Sequence, residues 1–235
     1  MHKLYKINNK YFDKIDNPNK AYWLGFIWAD GYVGKRERGN KGNIIEYALK
    51  LAIKDTDDNH IKKFANDIET NQPIKYYKTK GFCESSESRL LITNKYMCSH
   101  LYEDLGIISF RTDANKVISF IPKKLHKYFI LGVFDGDGSF SSYSCKDNGH
   151  MRDKMNLSFG GSESLLRFIE NHLIENKIIK PYEEGRKLQQ RHKDADGTWR
   201  TLVLPGPAQA MRILNYLYDS PIYLDRKYEK YLALK

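Results

Sequence analysis

The chain has 235 residues, 41% of them hydrophobic, enough for a sizeable interior in one large domain or two small ones. Its 39 Lys and Arg against 29 Asp and Glu leave a formal charge of +10, which favours polyanionic partners and says nothing of fold. Cys83, Cys98 and Cys145 form no C-x-x-C pair, residues 1–20 hold no signal-peptide-like apolar core and no stretch approaches a membrane span, which argues against a zinc site, a disulfide framework and a membrane protein and fits a reducing cytoplasm.

Residues 1–19 are polar and break at Asn17-Pro18, which predicts a short N-terminal extension. A helix follows over 19–30, then Tyr32-Val33, a basic polar turn over 34–43 and a strand over 44–53. Asp55-Thr56-Asp57 predicts a helix start, and Ile61, Phe64, Ala65 and Ile68 keep helical spacing behind it. Strands over 74–79 and 88–92 come next. A helix then runs through Met97, Leu101 and Leu105 and ends at Gly106. Residues 107–126 read as a basic linker. The order then returns: a helix to Asp137, strands over 139–144 and 155–159, a helix over 163–175, strands over 182–190 and 198–204, and helices over 208–218 and 223–234. Each half is therefore αββαββα, which predicts an α+β fold, a pseudo-twofold tandem repeat with four antiparallel strands per lobe. The lobes span 20–106 and 127–235.

The strongest feature is a repeat. WLGFIWADG at 23–31 and ILGVFDGDG at 130–138 place Asp30 and Asp137 at equivalent positions, 137 − 30 = 107 residues apart. Both segments are apolar all round, so each is buried on more than one face. Gly25 and Ala29 are four apart, as are Gly132 and Gly136, which puts small residues on one helical face and lets a second helix backbone approach. Gly31 and Gly138 fit the left-handed position just past a helix end. An acid in the last helical turn opposes the macrodipole, and two such acids side by side repel. A single Asp-Gly is an ordinary turn signal. Two matched copies at half-chain spacing point instead to a shared divalent cation.

These residues resemble the LAGLIDADG homing endonucleases in their monomeric, two-motif form. The second copy is a close match at all nine positions; the first departs at the sixth, where Trp28 replaces an acid. The likeness runs over most of residues 20–230. Leu51-Ala52-Ile53 aligns with Leu157-Ser158-Phe159, and Arg89-Leu90-Leu91-Ile92 with Thr201-Leu202-Val203-Leu204. It implies that Asp30 and Asp137 bind metal, with the carbonyls of Ala29 and Gly136 as further ligands. Oxygen-only ligation favours Mg²⁺, with Mn²⁺ as a substitute. It implies that Lys227 matches the family's central lysine, with Arg111 as its nearest equivalent in the first half. A water-organising position at the end of the second strand falls on Asp55 in one lobe and on Gly161, without a side chain, in the other.

Charge concentrates on the predicted strands and turns. The first lobe offers Lys35, Arg36, Arg38, Lys41, Lys50, Lys54, Lys75, Lys78, Lys80 and Arg89. The second offers Lys146, Arg152, Lys154, Arg186, Lys187, Arg191, Lys193 and Arg200, with Gln189, Gln190 and Asn156 among them. Any one of these merely keeps a strand face soluble. As a set on matching strands of both halves they predict a saddle for double-stranded DNA, ribbons in the major groove, tips on phosphates and mid-strand residues on base edges. The expected protein is a Mg²⁺-dependent endonuclease of the homing kind. It would act as a monomer on a long, partly asymmetric site and leave 3′ overhangs, inside a bacterium, a phage-infected cell or an organelle. The competing expectation is a non-cleaving binder on the same fold, an RNA maturase or DNA-binding regulator.

Overall fold

The computed structural model describes residues 5–38, 44–79, 85–108, 113–147, 150–182, 185–190 and 199–235. Lys41, Lys80, Arg111, Arg191 and Lys193 lie outside the described residues.

The centre is a helix pair. Helix α1, Pro18–Asp30, starts at Asn17, whose side chain accepts from the Lys20 N–H, and has Pro at its first position, where no amide is needed. Its residues from Ala21 through Ala29 are all buried. Its counterpart is α5, His126–Asp137, and the two touch backbone to backbone. A Cβ at Gly25 would stand 2.0 Å from Phe129 O, and one at Gly132 2.0 Å from Tyr22 O. Tyr22 and Phe129 are themselves motif equivalents, so the contact is twofold-related, as the small-residue spacing predicts. The glycines ending the motifs differ from expectation. Gly31 (φ −78°, ψ 152°) and Gly138 (φ −81°, ψ 159°) are extended, not left-handed. The chain leaves each helix directly into a strand so tightly that a Cβ would press within 2.7 Å of Ile27 O or 2.6 Å of Phe134 O. Glycine is required by crowding rather than by handedness.

In the first lobe α1 feeds β1, Gly31–Arg38, and β2, Ile44–Lys54. A 3-10 turn, Asp55–Asp57, leads into α2, Asp58–Asp67; β3, Lys75–Thr79, and β4, Ser85–Ile92, follow. Helix α3, Lys95–Ser99, runs on as a π turn, His100–Asp104, and Gly106 ends it at φ +72°. The sheet is antiparallel in the order β1-β2-β4-β3. Leu49, Leu51, Leu90 and Ile92 alternate inward onto the helices. Of the residues read as a polar turn after Val33, 34–38 are strand, and 39–43 lie outside the described residues. Lys35, Arg36 and Glu37 are polar and exposed, so no apolar alternation marks them. The N-terminal segment folds back, with Tyr11, Phe12 and Ile15 buried and Asn8 N–H bonded to Ile68 O at 2.8 Å.

The connection holds α4, Asn115–Ser119, which buries Val117 between Ala114 and Ile121, before a 3-10 turn, Lys123–Leu125, enters α5, His126–Asp137. The second lobe continues with β5, Ser139–Asp147, β6, His150–Gly161, α6, Glu163–Glu175, β7, Arg200–Pro205, α7, Pro207–Tyr218, and α8, Asp225–Leu232. Its sheet has three strands among the described residues, in the order β5-β6-β7. The expected fourth strand is reduced to one bridge, Gln189 to Thr201, with N–H···O distances of 2.9 and 2.8 Å. Just before it, Gly185 turns at φ +70° and Arg186 folds back onto Glu170 and Lys180 O instead of continuing a ladder. Strands β5 and β6 extend well past their predicted ends; the outer half of β6 is exposed on both faces while its inner half is buried. One continuous core joins both lobes. No helix among the described residues is long and apolar enough to cross a membrane.

Candidate active site

Because α1 and α5 touch along their length, their C-terminal ends adjoin. A Cβ on Gly136 would lie 2.4 Å from Ala29 Cβ and 3.5 Å from the Asp30 carboxyl carbon. Asp30 is exposed and Asp137 half-buried. The structure thus brings the two motif acids to one place. Lys227 on α8 joins them. Its side chain is buried, and Nζ donates to Phe134 O and Gly138 O at 2.6 Å each. This cation satisfies carbonyls at the end of α5 and offsets the negative pole there. Burial pushes the Lys227 pKa down to about 8, opposed by the negative charges of Asp135, Asp30 and Asp137.

Behind the acids lies a network that the sequence did not announce. Asp135, only 1% exposed, accepts from Tyr22 Oη (2.8 Å), Tyr218 Oη (3.0 Å) and the Leu224 N–H (2.8 Å). Burial raises its pKa to about 6, against the pull of Lys227 and of these three donors. Tyr22 has one hydroxyl proton and gives it to Asp135, so it accepts from His60 Nε2 at 3.0 Å. Burial drives the His60 pKa down to about 3 and keeps it neutral, and its Nδ1 is buried without a hydrogen-bond partner among the described residues. Helix α8 also grips the first lobe: Arg226 Nε meets Asp57 Oδ2 at 3.0 Å, and Asp225 takes Asn59 Nδ2 at 2.9 Å and Lys63 Nζ. The only hint in the sequence was the first Asp of Asp135-Gly136-Asp137.

The strand registers sort the predicted basic residues by face. On the first sheet the side away from the core carries Arg36, Lys50, Lys54, Lys75 and Arg89, with Tyr32, Tyr77 and Leu91 between them. On the second it carries Tyr143, Asn156, Arg152 and Lys154, with Gln189 at the bridge. Others go elsewhere. Lys35 turns to the helix side, where it and Tyr47 bind Glu103 at 3.0 and 2.7 Å. Lys78, Lys146 and Arg200 share that inner parity, Arg186 is held by Glu170 at 3.3 Å, and Lys187 is exposed near the bridge. Arg38 closes β1 and Gln190 follows Gln189. Asp55 sits in the 3-10 turn and accepts from Ser86 Oγ. From Leu51, the partner of Gly31, it is four residues further along, roughly 13 Å of extended chain.

Register also corrects the alignment between halves. Tyr32 follows the first motif as Ser139 follows the second; their partners are Lys50 and Ser158. Leu51 therefore corresponds to Phe159, not Leu157, and Gly161 is not the equivalent of Asp55. The alignment of Arg89 with Thr201 agrees with the register: Ala52 pairs with Arg89, and Gly160, two residues past Ser158, pairs with Thr201.

The architecture is that of the LAGLIDADG homing endonucleases, two motif helices between two antiparallel sheets. One similar structure is the I-SmaMI meganuclease bound to uncleavable DNA, at a TM-score of 0.59 and 16% identity, covering 93% of this chain and 88% of that one. A second is the I-LtrWI LAGLIDADG homing endonuclease bound to target DNA, at 0.58 and 13%, covering 93% and 90%. I-SmaMI bound to cleaved DNA gives 0.55 and 16%, covering 94% and 88%. No family model matches the chain, and no curated protein matches it in sequence.

Proposed function

We propose that this chain is a site-specific double-strand DNA endonuclease that acts as a monomer. The observation carrying this reading is the adjoining pair Asp30 and Asp137 beside the buried Lys227, between two sheets whose outer faces are basic and aromatic. The similar structures are described as DNA-bound, which supports the same partner here.

The two carboxylates, with the carbonyls of Ala29 and Gly136, make an all-oxygen donor set. No cluster of three or more His, Cys, Asp or Glu stands ready to hold a metal among the described residues. An all-oxygen set of this kind would suit Mg²⁺ or Mn²⁺, hard cations that prefer oxygen ligands. Bound there, the ion supplies charge neutralisation at phosphorus and a more acidic water. The chain does the rest. Lys227 uses two of its three protons on carbonyls and has one left for a phosphate oxygen. Arg36, Lys50, Lys54, Arg152 and Lys154 hold the duplex by its backbone. Each acid serves one strand, giving two nicks and a 3′ overhang.

Plasmid-library cleavage in Mg²⁺ tests this. Wild type linearises a subset of plasmids; Asp30→Asn and Asp137→Asn do not, and the double variant is inert while retaining DNA binding. Cleavage by the double variant removes the acid assignment. Sequence-selective binding by wild type without cleavage leaves the non-cleaving binder as the answer.

A further inference from the structure

Resting on the DNA-binding reading, the registers define a pair of matched positions with different chemistry. On the first sheet one row across the outer face runs Ala52, Arg89, Lys75. On the second the same row runs Gly160, Thr201, Gln189. The rows correspond because each begins two residues past the partner of the first strand residue after its motif, Lys50 or Ser158. Their neighbours Leu51 and Leu90, or Phe159 and Leu202, point into the core, so both rows face outward.

Within each row one residue is left to act. Arg89 is held by Glu87 and lies 4.2 Å from the Tyr77 ring centre. Lys75 is exposed, and its side chain has no hydrogen-bond or ion-pair partner among the described residues. On the second sheet Thr201 is buried, and the Trp199 indole covers Gly160, within 2.9 Å of where a Cβ would stand. Gln189 is exposed, and its side chain has no partner among the described residues. Lysine donates to guanine O6 and N7 in the major groove; glutamine exchanges a donor and an acceptor with adenine N6 and N7.

We infer that Lys75 and Gln189 are specificity-determining residues at mirror positions: the first lobe selects guanine where the second selects adenine. The near-palindrome expected of a twofold protein is broken there. Helix symmetry sets which base pairs are compared, and these two side chains set the answer.

The test is selection from a duplex library randomised over the whole site, by binding alone. Wild type enriches G at one position and A at its mirror, each preferred about 5- to 150-fold over the other purine. Lys75→Gln converts the G to A and leaves the mirror position alone; Gln189→Lys converts the A to G. Loss of affinity for all sequences alike, with a shallower salt dependence and unchanged base preference, shows phosphate contacts and overturns the inference. A shift at positions that are not mirror-related also overturns it. Failure of wild type to enrich any sequence defeats the DNA-binding reading itself, and this inference with it.

Discussion

The sixth positions of the two motifs are both buried, yet one is Trp28 and the other Asp135. The helices around them obey the same twofold. What differs is what arrives from outside. At Asp135 three donors converge, from α1, α7 and the segment leading into α8. A buried carboxylate is tolerable only when its lone pairs are filled. Trp28 fills its space with an apolar ring instead. The eighth positions, Asp30 exposed and Asp137 half-buried, keep the same acid in both copies. Symmetry is retained in the acids that close the two helices and abandoned where packing can be solved in two ways.

The largest effect should come from the acids themselves. Asp30→Asn or Asp137→Asn is expected to lower double-strand cleavage by roughly 100-fold or more, on the scale of losing one preorganised electrostatic group. Each leaves a nicked product cut on the opposite strand, read on strand-specifically labelled duplex. Equal loss on both strands in each variant would show that the acids act jointly.

Next comes the sixth position. Asp135→Leu strands three donors and the Lys227 cation, and should cost about 3–5 kcal/mol in urea unfolding. Trp28→Leu removes ring volume only and should cost about 1–3 kcal/mol. Equal costs would mean that the network around Asp135 contributes nothing beyond filling space.

The helix contact sharpens the symmetric side. Gly25→Ala and Gly132→Ala each drive a methyl into an opposing carbonyl, so each should cost about 3 kcal/mol, the upper end of overpacking, and by nearly the same amount. A large inequality would show that the twofold is only approximate at its own axis.

The last effect is graded with pH and falls on acid stability. His60 and His172 are held neutral by burial, with pKa values pushed to about 3 and about 4; burial lowers His126 too. Below pH 6.5 the unfolded chain takes protons that these native imidazoles refuse. Stability is therefore complete above 6.5 and falls as pH drops, by up to about 1.4 kcal/mol per pH unit for each histidine. Asp135 works the other way: between about pH 6 and 3.8 its native carboxyl binds the proton more readily, offsetting one histidine. Melting temperature against pH should start to fall near 6.5 and fall most steeply about one pH unit below it, and His172→Asn should flatten that fall.

Much of the frame was readable in the sequence because it rests on spacing. Gly25, Ala29, Gly132 and Gly136 are a local pattern with one geometric meaning. The same is true of Asp30 and Asp137 closing their helices. The misalignment of Leu51 with Leu157 has an equally simple cause. Strand alternation has a period of two, so a slip of two residues keeps every apolar side chain inward and leaves no trace in the pattern. Lys35 looked like a groove cation because its stretch was read as turn; once it is strand, parity sends it to Glu103. The α8 contacts with Asp57, Asn59 and Lys63 were not legible. Charged residues some 160 positions apart carry no periodicity, and only the folded chain pairs them.

That grip limits modularity. A chimera joining this second lobe to a first lobe from another protein would inherit Asp225 and Arg226 without the groups that receive them, and Asp135 without Tyr22. The transplantable unit is the second lobe together with four side chains of its neighbour, so grafts that carry Tyr22, Asp57, Asn59 and Lys63 along should outlast those cut cleanly at the linker.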